Sequence, residues 1–141
     1  MGSIAFFSVD TDFTLENEAW IRQRLAEIVT LEHFQLAHLN YVFGSDAYLL
    51  KLNIDYLEHD YLTDVITFDN ATSPLTIDGD IFISIDRVRE NATDFRVDFE
   101  SELVRVLIHG VLHLLGYQDS TRDQIKIMRQ KENSYLRFFV A

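Results

Sequence analysis

Glu100-Ser101-Glu102-Leu103-Val104-Arg105-Val106-Leu107-Ile108-His109-Gly110-Val111-Leu112-His113-Leu114-Leu115 is the stretch that decides the fold. Wound as a helix, its apolar residues surround the axis almost completely, from Leu103 to Leu115. A helix that is apolar all round is buried, so the stretch predicts a central helix with other elements packed about it. Gly116 suits the left-handed position that ends such a helix.

Two polar residues interrupt this surface. His109 and His113 are four apart, so both imidazoles leave one face of the helix, one turn above the other. Two ring nitrogens so placed can reach one ion at about 2.0–2.1 Å. The plainer reading is a pair of core histidines, each with its own hydrogen bond. Unpaired polar groups are costly in an apolar setting, which favours a shared partner. The chain turns back after Gly116, and Asp119 lies six residues beyond His113. A carboxylate is an ordinary zinc ligand, although Asp119 also reads as a turn residue or a helix cap. Asp123 is a weaker candidate, better explained as a capping acid. Two histidines, one carboxylate and an open position suit catalytic zinc better than structural zinc. In the common metalloprotease pattern His-Glu-x-x-His a glutamate supplies the general base, whereas here Gly110 follows His109. Glycine inside a helix costs about 0.5–1 kcal/mol relative to alanine. The position is therefore expected to admit a close approach, by another backbone or by substrate.

Working outward, Ile4 to Val9 reads as a first strand and Leu15 to Val29 carries helical spacing. Phe34 to Phe43 is apolar in both alternating sets, the mark of a strand covered on one or both faces. Ser45-Asp46 caps a helix to about Tyr56, and Val65 to Phe68 is a third strand. A loop over residues 70–78 leads to a fourth strand, Ile81 to Ile85, and Asp86 is placed to cap a helix to about Asp94. Ser120 or Thr121 caps a last helix to about Phe138, with Asp123 or Gln124 completing a capping box. The sum is an α+β fold, one domain over residues 1–141, with about four strands in a mixed sheet and four or five helices.

Composition narrows the chemistry. The 141 residues include no cysteine, so metal ligands must be histidine and carboxylate, and the simplest compartment is the reducing cytoplasm. No basic, apolar leader opens the chain and no apolar run is long enough to span a membrane. The net charge of -11 argues against broad attraction to nucleic acid. That charge is uneven: residues 1–86 hold three basic and 15 acidic side chains, residues 87–141 nine and eight. The second part can present a positive groove or simply solvated helix faces.

The run His109-Gly110-Val111-Leu112-His113-Leu114-Leu115-Gly116-Tyr117-Gln118-Asp119 resembles the YbeY family signature His-Gly-x-Leu-His-Leu-x-Gly-Tyr-Asp-His. Leu52-Asn53-Ile54-Asp55-Tyr56 with Thr63-Asp64-Val65-Ile66-Thr67-Phe68 is similar to that family's Leu-Asn-x-x-Tyr and Thr-Asp-Val-Leu-Ser-Phe segments. Gly79-Asp80-Ile81-Phe82-Ile83-Ser84 resembles its Gly-Asp-Ile-x-Ile-Ser strand. The likeness runs through most of the chain from about residue 36. It implies a zincin-like fold, one zinc ion and a single-strand-specific endoribonuclease maturing the 3′ end of small-subunit (16S) ribosomal RNA. Ribosomal RNA and the small ribosomal subunit are the implied partners, not DNA. In the family pattern the third ligand is histidine, here Asp119, and an arginine thought to engage phosphate stands where this chain has Leu57. His59 is a candidate to replace part of that charge, or else a surface loop residue.

A zinc ion so held would lower the pKa of bound water and polarise a phosphoryl oxygen. Asp64 is the candidate general base, although it also reads as a turn residue at the start of a strand. Two other classes compete: a non-catalytic metal-binding ribosome-assembly factor, which Leu57 leaves open, and a metal hydrolase of another substrate class. The peptidase version lacks its glutamate. Sequence leaves the oligomeric state open.

Overall fold

Leu39, Tyr41 and Phe43 alternate along one strand and are all buried, as are Ile77, Ile81 and Ile83 on its neighbour. These rows form the floor on which the apolar helix rests. The computed structural model describes residues 2–140. In chain order it has β1 (Ser3–Ser8), α1 (Glu18–Leu31), β2 (Gln35–Gly44), α2 (Asp46–Leu57), β3 (Val65–Asp69) and β4 (Thr76–Ser84). There follow α3 (Ile85–Phe95), α4 (Phe99–Leu114), α5 (Arg122–Leu136) and a 3-10 turn, Arg137–Phe139.

The sheet order is β1-β2-β4-β3, with β1, β2 and β4 parallel and β3 antiparallel on β4. The expected α+β class and mixed four-stranded sheet are thus found, with five α-helices. The helix α4 lies against β3 and β4, and Tyr41 donates its buried hydroxyl to the Leu107 carbonyl at 2.8 Å. On the other face Phe82 and Phe68 meet in a T, covered by Tyr48 and Tyr56 of α2. Both faces of the central strands are therefore covered. No helix among the described residues is long and apolar enough to cross a membrane.

Several boundaries move for local reasons. The helix α3 is capped by the Ser84 hydroxyl, which accepts from the Arg87 amide. Asp86 instead accepts from the Asp46 amide at 2.9 Å, tying α3 to α2. The strand β4 begins at Thr76, inside the expected loop, because parallel pairing with β2 already holds Thr76 and Ile77 there. The capping box at α5 forms from Thr121 and Gln124. At Gly110 the close neighbour is neither backbone nor substrate: an added Cβ would stand 2.8 Å from Cγ2 of Ile81. The glycine lets α4 sit down on the sheet.

Candidate metal centre

The site grows from the C-terminal half of α4 and the turn after it. Gly116 takes φ 107°, and the amide of Tyr117 donates back to the Leu112 carbonyl at 3.0 Å. This helix end folds the chain over its own last turn and returns Asp119 to the histidines. Ligand atoms of His109, His113 and Asp119 lie within 4.8 Å of one another. The two Nε2 atoms are 3.0 Å apart, and Oδ2 of Asp119 is 3.4 Å from each.

What holds the rings decides which atoms they offer. Nδ1 of His109 faces Oε2 of Glu132 at 2.6 Å, and Nδ1 of His113 faces the Tyr117 carbonyl at 3.0 Å. Both partners are acceptors, so each Nδ1 carries a hydrogen, and in its neutral form each ring turns the Nε2 lone pair inward. Two lone pairs and a carboxylate oxygen then converge on one point, an arrangement that calls for a cation. Bonds of about 2.0–2.1 Å in a tetrahedral site put neighbouring donors about 3.3–3.4 Å apart, close to the spacings found. The donor set therefore fits one divalent first-row ion with a coordination position left open.

The surrounding charges are organised about the same point. Glu132 is 4% exposed and also accepts from Arg105 at 2.8 Å. Burial pushes the Glu132 carboxyl up, but the hydrogen bonds from His109 and Arg105 outweigh this and hold it below the ordinary range. Burial also acts to lower His109, where Glu132 first, then Asp119 and Asp64, prevail and leave it above a free histidine. His113 is lowered, by burial and then by neighbouring His109. Asp64, at the head of β3, accepts from Asn91 at 3.4 Å and is close enough to feel His109 and Glu132. Burial is the main force raising its carboxyl, partly offset by His109.

Of the five residues singled out in sequence, the structure brings His109, His113 and Asp119 together; Asp64 lies outside that group, near enough for its charge to act on His109. His59 stands apart: it is exposed, its ring stacks on Tyr61 at 5.1 Å, and Nδ1 meets the Tyr61 hydroxyl at 3.0 Å. Leu57, the last residue of α2, is also exposed, and no lysine or arginine occurs between Lys51 and Arg87. Of the two readings of the basic second part, the groove has less charge to draw on, because Arg87, Arg105 and Lys131 are engaged by Asp46, Glu132 and Glu32. Sequence reading missed Glu132. Its signal was an acid among the inward residues of α5, four after Met128 and three before Tyr135.

Comparison with known proteins bears on this arrangement. The family model described as endoribonuclease YbeY matches residues 5–140. An endoribonuclease YbeY of Cytophaga hutchinsonii is 49% identical over 134 residues, covering 95% of this chain and 94% of its own. Another, from Amoebophilus asiaticus, is 47% identical over 134 residues, covering 95% and 91%. The solution structure of TM1509 from Thermotoga maritima matches with a TM-score of 0.68 at 29% identity, covering 96% of this chain and 88% of that one.

Proposed function

The chain belongs to the YbeY endoribonuclease family, and from that premise we propose that it cuts single-stranded RNA with a zinc ion held by His109, His113 and Asp119. The observation that carries the reading is the convergence of those three ligand atoms, with both Nδ1 atoms already committed to other acceptors. Such an ion supplies Lewis acidity toward a water and toward the phosphoryl oxygens of the substrate.

The protein's own residues do the rest. Glu132 and the Tyr117 carbonyl fix the ring orientations, so the ligands need no rearrangement when the ion enters. Asp64, raised by burial, receives the proton of the attacking water. Asp119 adds a negative charge where the family pattern has a neutral imidazole, which favours retention of a divalent ion. His59 has the residual role of meeting phosphate from the loop after α2. Gly110, in place of the peptidase glutamate, turns the site away from peptide hydrolysis. The physiological substrate in this reading is the 3′ end of 16S ribosomal RNA, met on the small ribosomal subunit in the cytoplasm by one domain spanning residues 1–141. A subunit partner accounts for how a chain of net charge -11 approaches RNA.

A second reading is favoured by Leu57, which leaves the phosphate-facing position without charge: a ribosome-assembly factor that binds metal and does not cut. One experiment separates the two. Zinc content is measured beside cleavage of a single-stranded ribosomal RNA precursor, for the parent chain and for His113→Ala and Asp119→Ala. The proposal expects one zinc per parent chain, cleavage, and a loss of both by at least about tenfold in the variants. Zinc and subunit binding without any cleavage would establish the assembly factor instead.

A further inference from the structure

Two turns back along α4 from His109 lies a feature that the metal centre does not use. The helices α3, α4 and α5, with the turn between the first two, line a half-open cavity of about 250 Å³. Phe95, Val97 and Leu136 form its apolar walls, and Glu102, Arg105 and Arg129 its polar ones. Glu102 is 5% exposed, yet among the described residues its carboxylate has no hydrogen bond or ion pair. Arg105, one turn on, spends its guanidinium on Glu132 and Asn133. Arg129 is 3.5 Å from Glu132 and 58% exposed.

A carboxylate this deeply buried keeps only a little solvent contact, at the cavity it lines, and has no protein donor, so it is poorly hydrated. Its place in a cavity wall points to a ligand that donates hydrogen bonds there. Burial and then Asp64 push its carboxyl up, against the lowering charges of Arg105 and Arg129. A second metal ion is a poor occupant, because Asp64, Glu102 and Glu132 do not converge as a ligand group among the described residues. Two arginines line the same space and would repel a cation. The walls fit a flat, partly apolar molecule carrying N–H donors on one edge and an anion beyond.

The chemistry that satisfies all these groups is a nucleotide. Guanine alone among the common bases carries two adjacent donors, N1–H and N2–H, on its Watson–Crick edge, and a carboxylate accepts both with its paired oxygens. We propose that this cavity is a guanine subsite for RNA, with Glu102 reading the base, Phe95, Val97 and Leu136 packing on its rings, and Arg129 meeting its phosphate. The proposal rests on the endoribonuclease reading. Glu102 and His109 are seven residues apart, about 10 Å along the helix axis, so the guanine belongs to a nucleotide neighbouring the cut.

The test is titration of the intact protein with the four nucleoside 5′-monophosphates, followed by the NMR methyl signals of Val97 and Leu136. Guanosine monophosphate is expected to shift both signals and to bind about tenfold or more tightly than the others, the scale of one good bidentate base contact. Glu102→Gln should erase that preference with its thermal midpoint retained. Arg129→Ala, at an exposed position, should weaken guanosine monophosphate but not guanosine. Equal shifts by all four nucleotides, or none, beside intact metal-dependent RNA cleavage, would overturn the subsite and leave the endoribonuclease standing. Guanine-selective binding in a protein that cuts no RNA would uphold the subsite and remove the reading beneath it.

Discussion

Glu132 is buried with both oxygens occupied, one by Arg105 and one by His109. The carboxylate fixes the tautomer of His109 and makes its Nε2 a better donor. Glu132→Gln keeps the volume but removes the charge, so metal affinity should fall by about 10–100-fold. Competition with a coloured chelator measures this directly, and unchanged affinity would show that His109 needs no such support. At this scale, the histidine pair and Asp119 were legible because helical spacing and a glycine stop are local. Glu132 comes from 23 residues away, and only tertiary packing brings it to His109. Asp64 was noticed as the head of a strand, but its setting beside His109 depends on β3 pairing with β4.

Among the elements, the last helix is tied to the first through one carboxylate. Glu32, just past α1, accepts from Tyr117 at 2.5 Å, from Lys131 at 3.0 Å and from the Tyr135 hydroxyl. Burial acts to raise its carboxyl, but those hydrogen bonds and the Lys131 charge prevail and hold it below the ordinary range. Its folded pKa is thus below its unfolded one, so its contribution is full above the unfolded value and is lost as pH falls through the folded one. Glu32→Gln should therefore cost on the order of 1–3 kcal/mol near neutrality. Urea unfolding at stepped pH should find that difference shrinking toward zero in acid; a constant difference would contradict the linkage. Helix identity was legible from end signals, as at Ser45 and Thr121. The start of β4 was not, since Thr76 joins the sheet through its partner Gln35 and not through its own neighbours.

For the molecule as a whole, an all-apolar helix implied a covering sheet, and the α+β class followed from local patterns alone. The order β1-β2-β4-β3 did not, because it depends on contacts between distant segments. That order sets β3 at the edge, against α4, and so brings Asp64 near enough for its charge to act on His109. Charge showed the converse limit: the basic residues of the second part allowed a groove, yet two of them, Arg87 and Lys131, are paired with acids brought from the first. The central claim is that one ion, held by His109, His113 and Asp119, carries out RNA cleavage. Its most direct test is the rate of cutting a single-stranded ribosomal RNA precursor by protein stripped with chelator, before and after one equivalent of zinc. The account predicts negligible cutting by the stripped protein and recovery at one zinc per chain; cutting that persists undiminished in the metal-free protein would contradict it.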